Sequence, residues 1–339
     1  MTGTFGDGSG GTGGRRGTNG GPHRSGGRSG QVPGPVGERA VVELLTRVLP
    51  ASGPGETWIG DDAAVLVATG EAPLLLATDC VVEGVHVDRR YCALADVGWK
   101  ALAVNVSDVA AMAGTPVAAV VAVSGAKADE VGPLYEGLVE AAREYRCPIV
   151  GGDLSAGPVL TLSVAVLGRA DVPPVLRSGA RAGDLLFVTG PLGRSAAGLR
   201  VLRSSAGRVG AEAEDLVAAH LRPRALLAHG LAAARAGATA MIDCSDGLSA
   251  DLDRVAVASG VGVDLADVPV APGATVEEAL GGGEDYELVF SAPDGGRVLE
   301  SFERAGLGAP VRIGRCVADP SRRTRGGAPL EVAGYEHTM

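Results

Sequence analysis

Short apolar runs of β-type residues alternate along this chain with helix-length segments, and several of them end at an aspartate. "LLLATD" stops at Asp79, "IVGGD" at Asp153 and "TAMID" at Asp243. Alternation of this kind is satisfied by helices packed on sheets, so the pattern restricts the chain to an α/β architecture. It also gathers carboxylates at strand ends. In "AMIDCSDGLSADLDR" four aspartates, Asp243, Asp246, Asp251 and Asp253, fall within eleven residues. Two unit charges about 4 Å apart repel by roughly 1 kcal/mol in water and roughly 4 kcal/mol at an effective dielectric near 20. Such a group either turns its members apart into solvent or converges on a cation.

A chain of 339 residues, 46% of them hydrophobic, can bury two cores, since domains commonly hold about 100 to 200 residues. Residues 1–35 carry few large apolar side chains and are expected to form a disordered, Gly/Arg-rich leader. "GERAVVELLTRVLP" has helical spacing and ends at Pro50. After it come strands in "AAVLV" and "PLLLATDCVV", a long helix in "LADVGWKALAVNVSDVAAMAG", a strand in "PVAAVVAVS", a helix over about 128–145, and strands in "CPIVGGD" and "VLTLSVAVLG". "RSGARAGD" at 177–184 reads as a polar joint. Beyond it lie a strand "LLFVTG", a helix "RSAAGLRVLRSS", two helices flanking "LRPR", a strand "TAMIDCS", a helix "GLSADLDRVAVASG", and strands "VGVDLA", "DYELVFSA" and "VRIGR". The expected fold is therefore two tandem mixed α/β domains, at 36–172 and 173–339.

Composition removes several function classes. A formal net charge of −10 with only two lysines, Lys100 and Lys127, argues against nucleic-acid binding. Five cysteines without C-x-x-C spacing indicate neither zinc nor a disulfide framework and suit a reducing cytoplasm. No run approaches the roughly 20 apolar residues of a membrane span, and no signal-peptide core is present.

The acidic positions fall where ligands meet α/β proteins. "IGDDAAVL" puts Asp61 and Asp62 in a turn before a strand; "NVSD" sets Asn105 and Asp108 on one helix face; "VGGD" lets backbone approach a ligand before Asp153; "MIDCSDGL" carries Asp243, Ser245 and Asp246 where a strand yields to a helix. Each taken singly also fits a structural role: Asp243 and Asp246 as helix caps, Asp61 and Asp62 as turn residues, His86 as a packed histidine. As a set they suit Mg²⁺, a hard cation held by a few carboxylates and the phosphates of a nucleotide. No G-x-x-x-x-G-K-[ST] and no protein-kinase signature is present, and "TGPLGRSAAG" is only a loose phosphate-loop look-alike. Phosphoryl transfer needs mainly positioning and charge neutralisation, so aspartate-bound Mg²⁺ and an arginine, with Arg177 in the joint well placed, would suffice.

The ordered motifs "GDDAAVL", "TDCVVEGVH", "KALAVNVSDVAAMAG", "GGDLSAGP", "RSGARAGD", "HLRPRA", "MIDCSDGLSADL", "GGGEDYELVF" and "GYEH" span nearly all of 56–337. Together they closely resemble the thiamine-monophosphate kinases of the aminoimidazole ribonucleotide synthetase-like superfamily. The resemblance implies an N-terminal domain that binds ATP and Mg²⁺ and dimerises through its sheet, and a C-terminal α/β domain covering the site. It implies transfer of the γ-phosphate of ATP to thiamine monophosphate, the last step of thiamine diphosphate synthesis. Carried over residue by residue, it makes Asp62, Thr78, Asp79, Asp108, Asp153, Asp243 and Asp246 metal-site positions, with Asp62, Asp79, Asp108 and Asp243 catalytic. It sets Tyr135, Gly152, Asp153, Arg177 and Ser245 near the nucleotide, and His86, Glu284 and Tyr335 near thiamine phosphate. An aromatic ring can stack on thiamine, an acid suits its positive charge, and histidine can meet the monophosphate.

The chain departs from the family pattern at Ala77, where a serine often precedes Thr-Asp, at Arg194, and at Leu154 and Ser155 after Asp153; it also ends "GYEHTM" rather than in His-Phe. The alternatives are an aminoimidazole ribonucleotide synthetase-like ligase releasing phosphate, and a non-catalytic nucleotide or thiamine-phosphate sensor. Retention of all the principal aspartates opposes the sensor.

Overall fold

The computed structural model describes residues 52–58, 61–67, 72–204, 210 and 213–337. The expected leader and the helix ending at Pro50 lie outside the described residues.

The first half builds a five-stranded mixed sheet from β1 (Ala64–Leu66), β2 (Leu74–Val82), β3 (Thr115–Ser124), β4 (Ile149–Ser155) and β5 (Thr161–Arg169), in the order β1-β2-β5-β3-β4. Only β3 and β4 run parallel. In β2, Leu75, Ala77 and Val81 are buried while Leu76, Thr78 and Cys80 are exposed. This period of two puts successive side chains on opposite faces and turns one face toward two helices. Those helices are α1 (Leu94–Ala111) and α2 (Ala128–Glu144).

Nearly every residue of α1 from Val97 onward is buried, on all sides. A helix without a polar face belongs inside a protein, and α1 packs at once on α2, β2 and β5 of its own domain and on elements of the second. Two glycines allow the α1–α2 approach: a Cβ at Gly98 would lie 2.0 Å from the Leu134 carbonyl oxygen, and one at Gly137 would lie 1.7 Å from that of Ala95.

The second half forms a seven-stranded sheet, β12-β11-β8-β10-β6-β9-β7, from β6 (Leu185–Val188), β7 (Ala240–Asp243), β8 (Gly262–Leu265), β9 (Leu288–Ala292), β10 (Val311–Val317), β11 (Arg323–Arg325) and β12 (Ala328–Pro329). Its helices are α3 (Arg194–Ser204), α4 (Glu214–Leu221), α5 (Leu227–Ala236), α6 (Leu248–Ser259), α7 (Val276–Gly281) and α8 (Gly295–Arg304). The expected strand "DYELVFSA" begins only at Leu288, because Glu284 and Tyr286 adopt positive φ, of 67° and 53°, and break the extended run.

The halves share their cores. Ala111 and Ala113 pack with Phe187, Phe290 and Phe302, whereas Tyr286 packs with the N-terminal core. Between α4 and α5, Arg222 pairs with Asp96 at 2.6 Å and Glu140 at 2.8 Å, and Trp99 donates to the Pro223 carbonyl at 2.8 Å.

Candidate active site

Three chain segments deliver one carboxylate each to the boundary between the domains. Asp62 precedes β1, Asp108 lies in the last turns of α1, and Asp243 ends β7; one carboxylate oxygen of each lies within 4.8 Å of the others. Local bonds fix the supports. Asn105 accepts the Asp79 backbone N–H at 2.7 Å and donates to the Ala101 carbonyl at 2.9 Å, tying β2 to α1. Ser107 donates to Asp243 Oδ2 at 2.5 Å. Burial pushes the Asp108 carboxyl well above its ordinary range, and Asp79, Asp243 and Asp62 push it further. Burial likewise raises Asp243, with Asp62 adding to it. Among the described residues this is the one group of three or more histidine, cysteine or acidic side chains close enough to share a metal ion. Buried oxygen donors that repel one another are what a divalent cation relieves.

Arg177 supplies positive charge at the rim. Its side chain donates to Asp62 at 2.7 and 3.2 Å, and its backbone N–H meets Asp61 at 3.0 Å. Burial and the neighbouring Asp62 push the Asp61 carboxyl up to about 7. Asp246, on the loop after β7, is paired with Arg254 at 2.5 Å, and Arg254 also holds the buried Asp251.

The remaining positions fall at different distances from this group. Asp79 is near enough to repel Asp108. Thr78, the next residue on β2, belongs with Leu76 and Cys80 on the other face, and its hydroxyl donates to the Val164 carbonyl at 2.8 Å. Asp153 is exposed on the edge strand β4, in register with Ala122. A Cβ at the neighbouring Gly152 would sit 1.9 Å from the Val121 carbonyl oxygen, so strand packing alone requires glycine there. Tyr135 is half-buried on α2 against the N-terminal core. The Ser245 carbonyl accepts the Glu284 N–H at 2.7 Å.

A second group adjoins the carboxylates. The His86 ring lies 5.2 Å from that of His337, which lies 4.8 Å from that of Tyr335. The Tyr335 N–H donates to the Asp246 carbonyl at 3.0 Å, fastening the C-terminal segment to the acidic loop. Burial lowers the His86 pKa, while Glu284 opposes that shift. Glu284 is held by Lys100 at 2.6 Å, and His220 Nδ1 lies 3.3 Å from its other oxygen, with burial lowering the His220 pKa to about 4 so that the ring is neutral near pH 7. Lys100, His220 and His337 were not singled out from sequence. Each nevertheless lies in a quoted motif, Lys100 in "KALAVNVSDVAAMAG", His220 in "HLRPRA" and His337 in "GYEH", which carry no sign of which partner their side chains meet.

The loose phosphate loop is already filled. Asp285 accepts the N–H groups of Gly193 and Ser195, at 2.5 and 2.9 Å, at the start of α3. A carboxylate thus takes the anion position of that helix end.

Two family models match the chain: AIR synthase related protein, N-terminal domain, over residues 60–170, and AIR synthase related protein, C-terminal domain, over 181–326. The thiamine-monophosphate kinase of Rhodopirellula baltica is 37% identical over 298 residues, covering 80% of this chain and 86% of that one. That of Salmonella typhimurium is 38% identical over 306 residues, covering 83% and 92%. Among solved structures, the complex of AaThiL with AMPPCP and TMP superposes with a TM-score of 0.78 at 33% identity, covering 89% of this chain and 97% of that one.

Proposed function

Because the chain belongs to the thiamine-monophosphate kinase family, built from the AIR synthase related N- and C-terminal domains, we propose how its residues carry the transfer of the γ-phosphate of ATP to thiamine monophosphate. The observation that carries the reading is the convergence of Asp62, Asp108 and Asp243 from both domains within 4.8 Å, with the His86, His337 and Tyr335 rings fastened to Asp246 on the loop that follows Asp243.

Mg²⁺ fits this donor set, which is all carboxylate oxygen and largely buried. Asp62, Asp108 and Asp243 would hold it, with Asp79 adjoining, and when bound it neutralises charge on the transferring phosphoryl group. Asp246 is a further ligand in this reading, released from Arg254 to reach the ion, whereas Thr78 and Asp153, which the family resemblance adds to the set, stand on the outer face and edge of the N-terminal sheet, away from the Asp62, Asp108 and Asp243 group. Arg177, set by Asp61 and Asp62, supplies a fixed cation toward the nucleotide phosphates. Gly152, Tyr135 and Ser245 flank the nucleotide. His86 meets the monophosphate, Tyr335 offers its ring, and Glu284 faces the positive thiazolium. The acceptor is an anionic phosphate oxygen, so in-line attack needs neither a general base nor a covalent enzyme intermediate.

A homodimer is part of the reading. The outer face of the five-stranded sheet exposes Leu76 and Val120, and its edge strand exposes Val150 and Leu154, an apolar surface of the kind a second copy covers. The cytoplasmic assignment is supported by five cysteines that are all free. No helix among the described residues is long and apolar enough to cross a membrane.

The test is incubation with ATP, Mg²⁺ and thiamine monophosphate, resolving the products by chromatography. Thiamine diphosphate and ADP in equal amounts are expected. ATP binding without either product would overturn the reading, and free phosphate with ADP but no thiamine diphosphate would favour ligase-type chemistry.

A further inference from the structure

Lys100 is one of two lysines in the chain and is only 1% exposed. It stands on the inward side of α1, where an ammonium without a partner would be costly. Its Nζ reaches out of the N-terminal domain to Glu284 Oε1 at 2.6 Å and to the His86 carbonyl at 3.2 Å. On the other side, Glu284 Oε2 lies 3.3 Å from His220 Nδ1, and the Ser195 hydroxyl lies 3.0 Å from the same nitrogen. The Ser195 backbone N–H is held in turn by Asp285. The Glu284 carboxylate is thus paired with Lys100 at one oxygen, while the His220 ring, kept neutral near pH 7 by burial that lowers its pKa to about 4, packs beside the other.

The backbone beneath it is equally constrained. Glu284 and Tyr286 both take positive φ, which non-glycine residues adopt only when their surroundings require it. The Glu284 N–H donates to Ser245 and the Tyr286 N–H to Cys244, lacing this loop to the segment that follows Asp243. A surface loop that only closed a turn would need no such hold. Strain and a buried counter-charge act together to fix one carboxylate.

We propose that Lys100 is a positioning residue for substrate recognition, holding the Glu284 carboxylate in place across the domain boundary so that it meets the cationic ring of thiamine monophosphate. This rests on the reading of Glu284 as a substrate contact. Lys100 touches neither substrate and acts through Glu284. Its ammonium also offsets part of the Glu284 charge, so the field offered to the ring is that of a fixed carboxylate–ammonium pair rather than a mobile anion. The neutral His220 ring packs beside the same carboxylate from the C-terminal domain.

The experiment is a double-mutant cycle on the full chain with Lys100→Met, Glu284→Gln and the two combined, measuring KM for thiamine monophosphate, KM for ATP and kcat. Lys100→Met is expected to raise KM for thiamine monophosphate about tenfold while KM for ATP and kcat stay within about twofold. In the Glu284→Gln background the same change should add nothing, because the group it positions is already neutral. Lys100→Arg, which keeps the charge, should recover part of the loss. The combined variant leaves no buried charge unpaired, so it reports even if Lys100→Met alone is poorly folded; Lys100→Arg then supplies the other arm. An unchanged KM for thiamine monophosphate in Lys100→Met, or an equal rise in the Glu284→Gln background, would overturn the proposal. If Glu284→Gln itself leaves that KM unchanged, the assignment of Glu284 falls and takes the proposal with it, whatever Lys100 does. Failure of the positioning role alone is recognised by a Glu284→Gln effect without a Lys100 effect.

Discussion

Asp108 occupies a helix otherwise filled by Val104, Val106, Val109 and Met112, all buried. The carboxylate is itself only partly exposed among these apolar neighbours, which is why its chemistry could be read from them. Asn105, three residues earlier on the same face, does not join the acidic group but fixes β2 against α1 through Asp79. Asp108→Asn is expected to lower turnover at least a hundredfold by weakening cation binding, without lowering the melting temperature of the ion-free protein, because it removes one of several repelling charges. Mg²⁺ should raise the melting temperature of the parent protein and much less that of the variant. Near-normal turnover at saturating Mg²⁺ would contradict the role given to Asp108.

At the scale of elements, helices with a long apolar pattern were legible and short capped ones were not. The spacing in "LADVGWKALAVNVSDVAAMAG" predicts the helix found at Leu94–Ala111. The helix at Gly295–Arg304 opens on two glycines and buries only Val298, Ser301 and Phe302; its signal is the Asp294 side chain, which accepts from Gly296 and Arg297. "DYEL" has strand composition, yet Asp285 is taken by the start of α3 and Glu284 by Lys100, and these tertiary partners override local preference. The α1–α2 contact gives a direct test. Gly137→Ala would push a methyl into the Ala95 carbonyl and is expected to destabilise the protein by about 1–3 kcal/mol, read from a lower urea midpoint with an unchanged m-value. A shift below about 0.5 kcal/mol would mean that the two helices can separate without loss.

For the whole molecule, the two domains act as one body because each lends residues to the other's core and Arg222 bridges them. The acidic group exists only in that arrangement: Asp62 and Asp108 come from one domain, Asp243 from the other, and Arg177 from the joint. The proposed dimer belongs to this scale. Light scattering should give twice the chain mass for the parent protein, and Val120→Glu, at the centre of the exposed sheet face, should give the chain mass, because an unpaired charge would be buried between copies. A monomeric parent protein would remove the sheet-to-sheet contact.

The amino-acid sequence by itself determined the alternation of strands and helices, the placing of aspartates at strand ends and the ordered motifs, because period, caps and composition act within a few residues. Tertiary structure alone decided which of those aspartates meet. The packing of α1 against β7 brought Asp108 to Asp243. It also decided that a buried lysine pairs with Glu284, with a buried histidine packed beside it. Such pairings span from 64 to 184 positions along the chain, and no local pattern encodes them, since their free energy comes from charges desolvated together only when both domains close on one another.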